Sequence, residues 1–214
     1  MDGTLVDSEP YWIAAEIELA ASHGGRWTHD DALSIVGSAM PVAAARLQDA
    51  GVELSVDNIA RTLIAQVRSQ LLVRVPWRHG ARSLLHELTR AGIPCALVTS
   101  SDRSLADPVV AGAPDGTFRT LVCASDVTHG KPHPQPYLMA AERLGVDITL
   151  CVALEDSPAG IDSALAAGAR TIGVQGMVPV SRRPGLSRVA SLAQLDLGAL
   201  VGVVDGNLLD LLDR

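Results

Sequence analysis

Four short stretches of this chain hold residues suited to gripping an anion or a hard cation. Thr99, Ser100 and Ser101 follow the apolar run Pro94–Val98. Hydroxyls and backbone N–H groups between a strand and a helix start make an anion site, although Ser101 would equally serve as the N-cap of the next helix. Glu155, Asp156 and Ser157 follow a second apolar run, Leu150–Leu154. Paired carboxylates at a strand end suit Mg²⁺, which takes oxygen ligands, while Ser157 and Pro158 alone would be satisfied as a cap and first helical residue. Between these runs lies His129-Gly130-Lys131-Pro132-His133-Pro134, where the prolines stiffen the backbone that carries Lys131. A rigid lysine can neutralise a phosphate, and a plain surface loop remains the other reading. His129 and His133 are four apart, but the prolines bar a helix, so no zinc site is expected there. The fourth stretch is Met1-Asp2-Gly3-Thr4-Leu5-Val6-Asp7-Ser8-Glu9, a turn signal that in isolation reads as a frayed end.

The elements that must position these residues change character along the chain. From about Pro10 to Val73 the apolar residues follow a helical period. The stripes are Ile13, Ile17 and Ala20–Ala21; Met40, Ala43, Ala44 and Leu47; and Ile59, Leu63, Val67 and Leu71, separated by turn signals at His23–Gly25, Gly37–Ser38 and Asp49–Gly51. From Pro76 onward, short apolar runs alternate with helical segments. Strands are expected at Pro94–Val98, Leu121–Cys123, Leu150–Leu154 and Thr171–Val174. Helices are expected at Ala81–Ala91, Leu105–Ala111, Gln135–Leu144 and Pro158–Ala167, with weak helical signals at Ser191–Leu195 and Leu208–Leu212. Such alternation predicts an α/β core whose parallel sheet is covered on both faces. Ligands then bind outside the carboxyl ends of the strands, where Thr99 and Asp156 fall.

Composition narrows the partners. The 214 residues are 48% apolar and 19% charged, which is globular, and the net charge of −7 offers no basic footprint for nucleic acid or anionic membrane. Aromatics are only 3%, so aliphatic side chains must fill the core. Cys95, Cys123 and Cys151 stand singly in apolar surroundings and read as small buried residues in a reducing compartment. No run of apolar residues reaches membrane-spanning length and no signal pattern opens the chain, so the expected location is the cytoplasm.

Taken in order, the four stretches resemble the motifs of the haloacid dehalogenase (HAD) superfamily. Asp2-Gly3-Thr4 matches its first motif, Thr99 the second, Lys131 in Gly-Lys-Pro-His-Pro the third, and Glu155-Asp156-Ser157 with Gly160 the fourth. The resemblance covers essentially the whole chain. It implies a Rossmann-like parallel-sheet core over residues 1–9 and 75–214, with a helical cap inserted over 10–74. It implies that Asp2 is the acid/base, its backbone carbonyl binding Mg²⁺, and that Thr99, Ser100 and Lys131 hold the transferring phosphoryl group. Asp156 would bind Mg²⁺, with Glu155 beside it directly or through water. Hinges are expected near Asp7–Glu9 and Arg74–His79, and Gly37–Arg46 is expected to face the substrate. Arg46 there would either reach a second anionic group or stay solvated.

One departure stands against this agreement. The family's attacking aspartate precedes the acid/base by two positions, so it would lie one residue before Met1, together with the first, central strand. Without that strand, buried backbone groups on two neighbours would each cost ~1–3 kcal/mol. The expectation is a start assigned too late, at the methionine inside the motif. The implied activity is Mg²⁺-dependent hydrolysis of a small phosphate monoester, a sugar phosphate, through an aspartyl-phosphate. A beta-phosphoglucomutase-like phosphomutase and a non-catalytic phosphate-binding relative are the alternatives. The mutases carry a cap histidine near the position of Trp12 and an arginine near that of Met40, which places phosphatase first.

Overall fold

A computed structural model describes residues 1–36, 38 and 40–212 of the chain. Gly37 and Ala39, in the segment expected to face the substrate, and the final two residues lie outside the described residues. The chain divides into two compact units, Ser8–Pro76 and Met1–Asp7 with Trp77–Arg214. No described helix is long and apolar enough to cross a membrane.

The first unit holds α1 (Glu9–Ser22), α2 (His29–Leu33), α3 (Met40–Asp49) and α4 (Val56–Val73). In α4 the predicted stripe is complete: Ile59, Leu63, Val67 and Leu71 are all buried, and Ser55 accepts the Asn58 N–H as N-cap. In α3 the predicted Ala43, Ala44 and Leu47 are buried. In α1 the buried face is Ile13, Ala15, Glu16, Leu19 and Ala20, so Ala21 turns out to be exposed and an acid lies inside. Glu16 accepts a hydrogen bond from Trp27 Nε1 at 3.2 Å, yet burial raises its pKa to about 7. The short α2, which periodicity over so few residues does not reveal, is fixed by a capping box between Thr28 and Asp31.

The second unit alternates α5 (Ala81–Arg90), β1 (Cys95–Val98), α6 (Arg103–Gly112), β2 (Phe118–Val122), α7 (Gln135–Leu144), β3 (Val152–Glu155), α8 (Pro158–Ala167), β4 (Arg170–Val174), β5 (Leu186–Val189) and α9 (Leu197–Val204). All strand pairs are parallel, as the alternation requires. They form two sheets: β1 with β2, and β3-β4-β5. Among the described residues no strand joins β1 to β3. An apolar cavity of about 690 Å³ is lined by Leu97 and Val98 of β1, Ala153 and Leu154 of β3, and by Met1, Leu85 and Tyr137.

Two elements depart from the sequence expectation in the tail. Ser191–Leu195 yields only a 3₁₀ turn at Leu192–Gln194, and Leu208–Leu212 is not helical. Instead, Leu209 O accepts the Arg188 N–H at 2.7 Å and Leu211 N–H donates to Arg188 O at 2.9 Å, extending the edge of β5. The strand β5 escapes pattern reading because its interior carries Ser187 and Arg188, both buried. Cys123 is buried and Cys95 and Cys151 are half-buried, all three free thiols whose pKa burial raises.

Candidate active site

The carboxyl ends of β1 and β3 deliver their following residues to one place, and the Met1–Val6 turn meets them there. Asp2 and Val6 bridge each other, and Met1 O accepts the N–H groups of Thr4, Leu5 and Val6, so the turn is closed on itself. Gly3 sits at φ +70°, and a Cβ on it would overlap Asp156 Oδ2. Only glycine allows this turn to lie against that carboxylate. The next residue, Thr4, is buried and donates its hydroxyl to Asp156 Oδ1 at 2.6 Å.

Asp2 Oδ2 accepts a hydrogen bond from Ser101 Oγ at 2.7 Å, which ties the turn to the loop after β1. Within that loop Thr99 is buried; its N–H pairs with Val122 O at 2.9 Å and its Oγ1 accepts the Ser101 N–H at 3.1 Å. Ser100 is exposed. The helix cap expected of Ser101 belongs to Asp102, whose carboxylate accepts the Ser104 N–H at 2.8 Å. An aspartate accepts more strongly than a hydroxyl, which leaves Ser101 for Asp2.

Lys131 enters from the proline-flanked loop. Its Nζ donates to Val98 O at 3.2 Å and forms an ion pair with Glu155 Oε1, and both side chains are more than nine-tenths buried. Tyr137, from the first turns of α7, donates its hydroxyl to the same Oε1 and presents its ring 5.3 Å from Lys131 Nζ. Ser157 Oγ lies 3.4 Å from Glu155 Oε2 while capping α8 through the Gly160 N–H. Burial by itself would raise the pKa of Glu155, but the Lys131 charge, the amino-terminal charge and the hydrogen bonds of Lys131 and Tyr137 together outweigh it and hold the carboxyl below its ordinary value. The Tyr137 hydroxyl is pushed well above its ordinary value by burial and by the Glu155 charge.

Asp156 has a different setting. Burial raises its pKa, with the Thr4 hydrogen bond opposing and the Glu155 charge adding to the rise. Both Gly3 and Gly176 approach its Oδ2, and a Cβ on Gly176 would stand 3.1 Å away. The turn that carries Asp2 therefore lies against Asp156 through Gly3 and Thr4. Glu155, expected beside the metal directly or through water, bonds Lys131 and Tyr137 through Oε1. Among the described residues no three His, Cys, Asp or Glu side chains cluster so as to hold a metal by themselves. A cation here would rest on Asp156, a backbone carbonyl, water and the ligand, which is how Mg²⁺ is usually held.

Sequence reasoning missed Thr4, Ser101 as a partner of Asp2, Tyr137, and Arg78, which bonds the carbonyls of Gly3 and Gln175. Thr4 lay inside a quoted motif, and Tyr137 stands in the first turns of the helix that follows the lysine loop. Ser101 stands in the hydroxyl-rich stretch after the first apolar run, but only its bond to Asp2 explains its place here, and nothing in the sequence marks Arg78.

Residues 1–168 match the family model for haloacid dehalogenase-like hydrolases. The chain is similar to hexitol phosphatase A of Escherichia coli K12, at 34% identity over 81% of this chain and 80% of that one. It is also similar to a fructose-1-phosphate phosphatase of the same bacterium, at 31% identity over 82% and 93% of the two chains. Among solved structures, CbbY from Rhodobacter sphaeroides in complex with phosphate superposes with a TM-score of 0.80 at 26% identity, covering 94% and 96% of the chains. With its motifs gathered at the strand ends and its relatives matched along most of their length, the chain belongs to the haloacid dehalogenase-like hydrolase family.

Proposed function

We propose that this protein is a Mg²⁺-dependent phosphatase that hydrolyses a small phosphorylated metabolite, a sugar phosphate, through an aspartyl-phosphate intermediate. The observation that carries this is one tight turn that bonds Ser101 through Asp2 and Asp156 through Thr4, with Lys131 held at the end of the adjoining strand β1. The hexitol and fructose-1-phosphate phosphatases among the relatives supply the substrate class.

Each residue has a task on this reading. Lys131 donates to Val98 O and Glu155, and a lysine ammonium has three protons, so one remains for a phosphoryl oxygen. Thr99 accepts from Ser101 through Oγ1 and keeps its own hydroxyl proton for the same group. Exposed Ser100 adds a backbone N–H or hydroxyl beside it. Ser101 fixes one oxygen of Asp2, which orients the carboxyl to protonate the leaving oxygen and then to take a proton from the attacking water. The Asp156 carboxylate in its two-glycine cradle, with the Asp2 backbone carbonyl, fits a Mg²⁺ ion, and Glu155 reaches the ion only through water. When bound, the metal neutralises charge on the transferring phosphoryl group.

The phosphoryl acceptor is the aspartate that the family resemblance sets two positions ahead of Asp2. Among the described residues, β1 and β3 each have an edge that pairs with no other strand, and both line the apolar cavity with Met1, which supports this reading. Asp2→Asn tests the assignment. General acid–base catalysis contributes ~10²–10⁴-fold, so the substitution should lower turnover by at least that order in a chain carrying the upstream strand. Retention of more than about a tenth of the activity would remove Asp2 from this role.

A further inference from the structure

Two backbone segments far apart in sequence, the Gly3 turn and the Gln175–Gly176 loop after β4, both approach the Asp156 carboxylate. Each approaches through a glycine: a Cβ on Gly3 would overlap Oδ2, and one on Gly176 would stand 3.1 Å from it. The spacing of these two walls sets the room around the carboxylate. One side chain spans both. Arg78 donates from Nη1 to Gly3 O and from Nη2 to Gln175 O at 2.7 Å, while its own N–H bonds Leu5 O at 2.8 Å. The Gln175 end is anchored in turn, its N–H on Val189 O at 2.8 Å and its Oε1 accepting from Val180 N at 3.3 Å. Among the described residues no carboxylate pairs with Arg78; its fork is given to carbonyls.

We infer that Arg78 is a positioning residue that clamps the two glycine walls of the Asp156 carboxylate at the separation a bound Mg²⁺ requires. The inference rests on the metal reading proposed above. A planar guanidinium can hold two divergent carbonyls at once, which the single ammonium of lysine cannot reproduce at the same geometry. Its charge acts the other way, because a cation near Asp156 repels Mg²⁺. Geometry and charge therefore predict opposite effects of removing it.

The experiment is calorimetric titration of Mg²⁺ into the full chain, the Arg78→Met, Arg78→Lys and Gly176→Ala variants, with thermal unfolding of each metal-free protein. Residues that support metal ligands typically contribute 10–100-fold to metal affinity. Arg78→Met and Arg78→Lys should each weaken Mg²⁺ binding by about tenfold or more at nearly unchanged melting temperature. Gly176→Ala, whose Cβ would crowd Asp156 Oδ2, should weaken it without touching Arg78. Should Arg78→Met lower the melting temperature strongly, Arg78→Lys and Gly176→Ala decide. Unchanged or tighter binding in the Arg78 variants overturns the clamp while leaving the metal reading intact. Absence of Mg²⁺ binding in the unaltered chain overturns the metal reading itself, and the clamp with it.

Discussion

Glu155 and Asp156 are neighbours at the end of one strand, yet the protein treats them in opposite ways. Glu155 faces Lys131 and Tyr137, and their charge and hydrogen bonds, with the amino-terminal charge, hold its pKa below the ordinary value despite burial. Asp156 has the Thr4 hydroxyl and two glycine walls, and burial raises its pKa. The first carboxylate is completed by the fold; the second carries a burial cost that a cation would relieve. Two adjacent acids thus divide into one that fixes a lysine and one that suits a ligand. Glu16, in the helical unit, is a third case: its pKa is raised to about 7 with a tryptophan N–H as donor, and among the described residues no glycine stands against its carboxylate.

The sharpest way to break this comparison is Lys131→Ala. It leaves Glu155 buried without its cation, so unfolding free energy should fall by about 3–5 kcal/mol, and turnover of a chain carrying the upstream residues should vanish. A denaturant midpoint unchanged from the unaltered chain would mean that Glu155 is not completed by Lys131. Next in size is Glu16→Gln. A carboxyl with a raised folded pKa is most at ease below the ordinary glutamate range, and stability declines as pH climbs from there to about 7. At pH 8 the glutamine variant should be more stable by roughly 2–3 kcal/mol, and near pH 4 the two should agree; parallel pH curves would refute the buried acid.

Tyr137→Phe keeps the ring against Lys131 and removes one hydrogen bond to a charged group, a loss of about 1.5–2 kcal/mol readable by urea unfolding. It should also shift acid sensitivity. Glu155, with its lowered pKa, contributes stability above the ordinary glutamate range that is lost as pH falls through the depressed value. Weakening its partners moves that loss to higher pH, and an unmoved acid limb would argue against the contact. The smallest effect belongs to Asp156→Asn. It removes an unfavourably buried charge, so metal-free stability at neutral pH should rise by up to about 1 kcal/mol, while stabilisation by added Mg²⁺ disappears. A metal-free loss instead of a gain would place Asp156 with Glu155 as a structural acid.

What was legible in the sequence follows from where the determining contacts lie. Helices α7 and α8 match their expected bounds because local signals fix them: Pro134 before one, Ser157 and Pro158 before the other, and left-handed Gly145 and Gly168 after them. The strand β5 was illegible because Arg188 is buried through a two-pronged bond to Asp210, at 2.9 and 2.8 Å, from a distant part of the chain. Helix α9, Leu-Gly-Ala-Leu-Val-Gly-Val-Val, is apolar throughout and carries no period to read. At the site, motif order singles out Asp2, Thr99, Lys131 and Asp156 as candidates. The contacts of Glu155 with Lys131 and Tyr137 are not readable that way, since they join residues from three segments of the chain. Arg78 illustrates the limit: its partners lie 75 and 97 positions away, and a lone arginine in a hinge-like stretch gives no hint of them.

The most direct test of the central claim is release of inorganic phosphate from a panel of sugar phosphates, with Mg²⁺ and with EDTA. The chain as it stands is compared with one carrying the residues encoded immediately upstream. The account predicts Mg²⁺-dependent release by the extended chain, abolished by EDTA and absent from the chain that begins at Met1. Two folded proteins that release no phosphate from any member of the panel would contradict it.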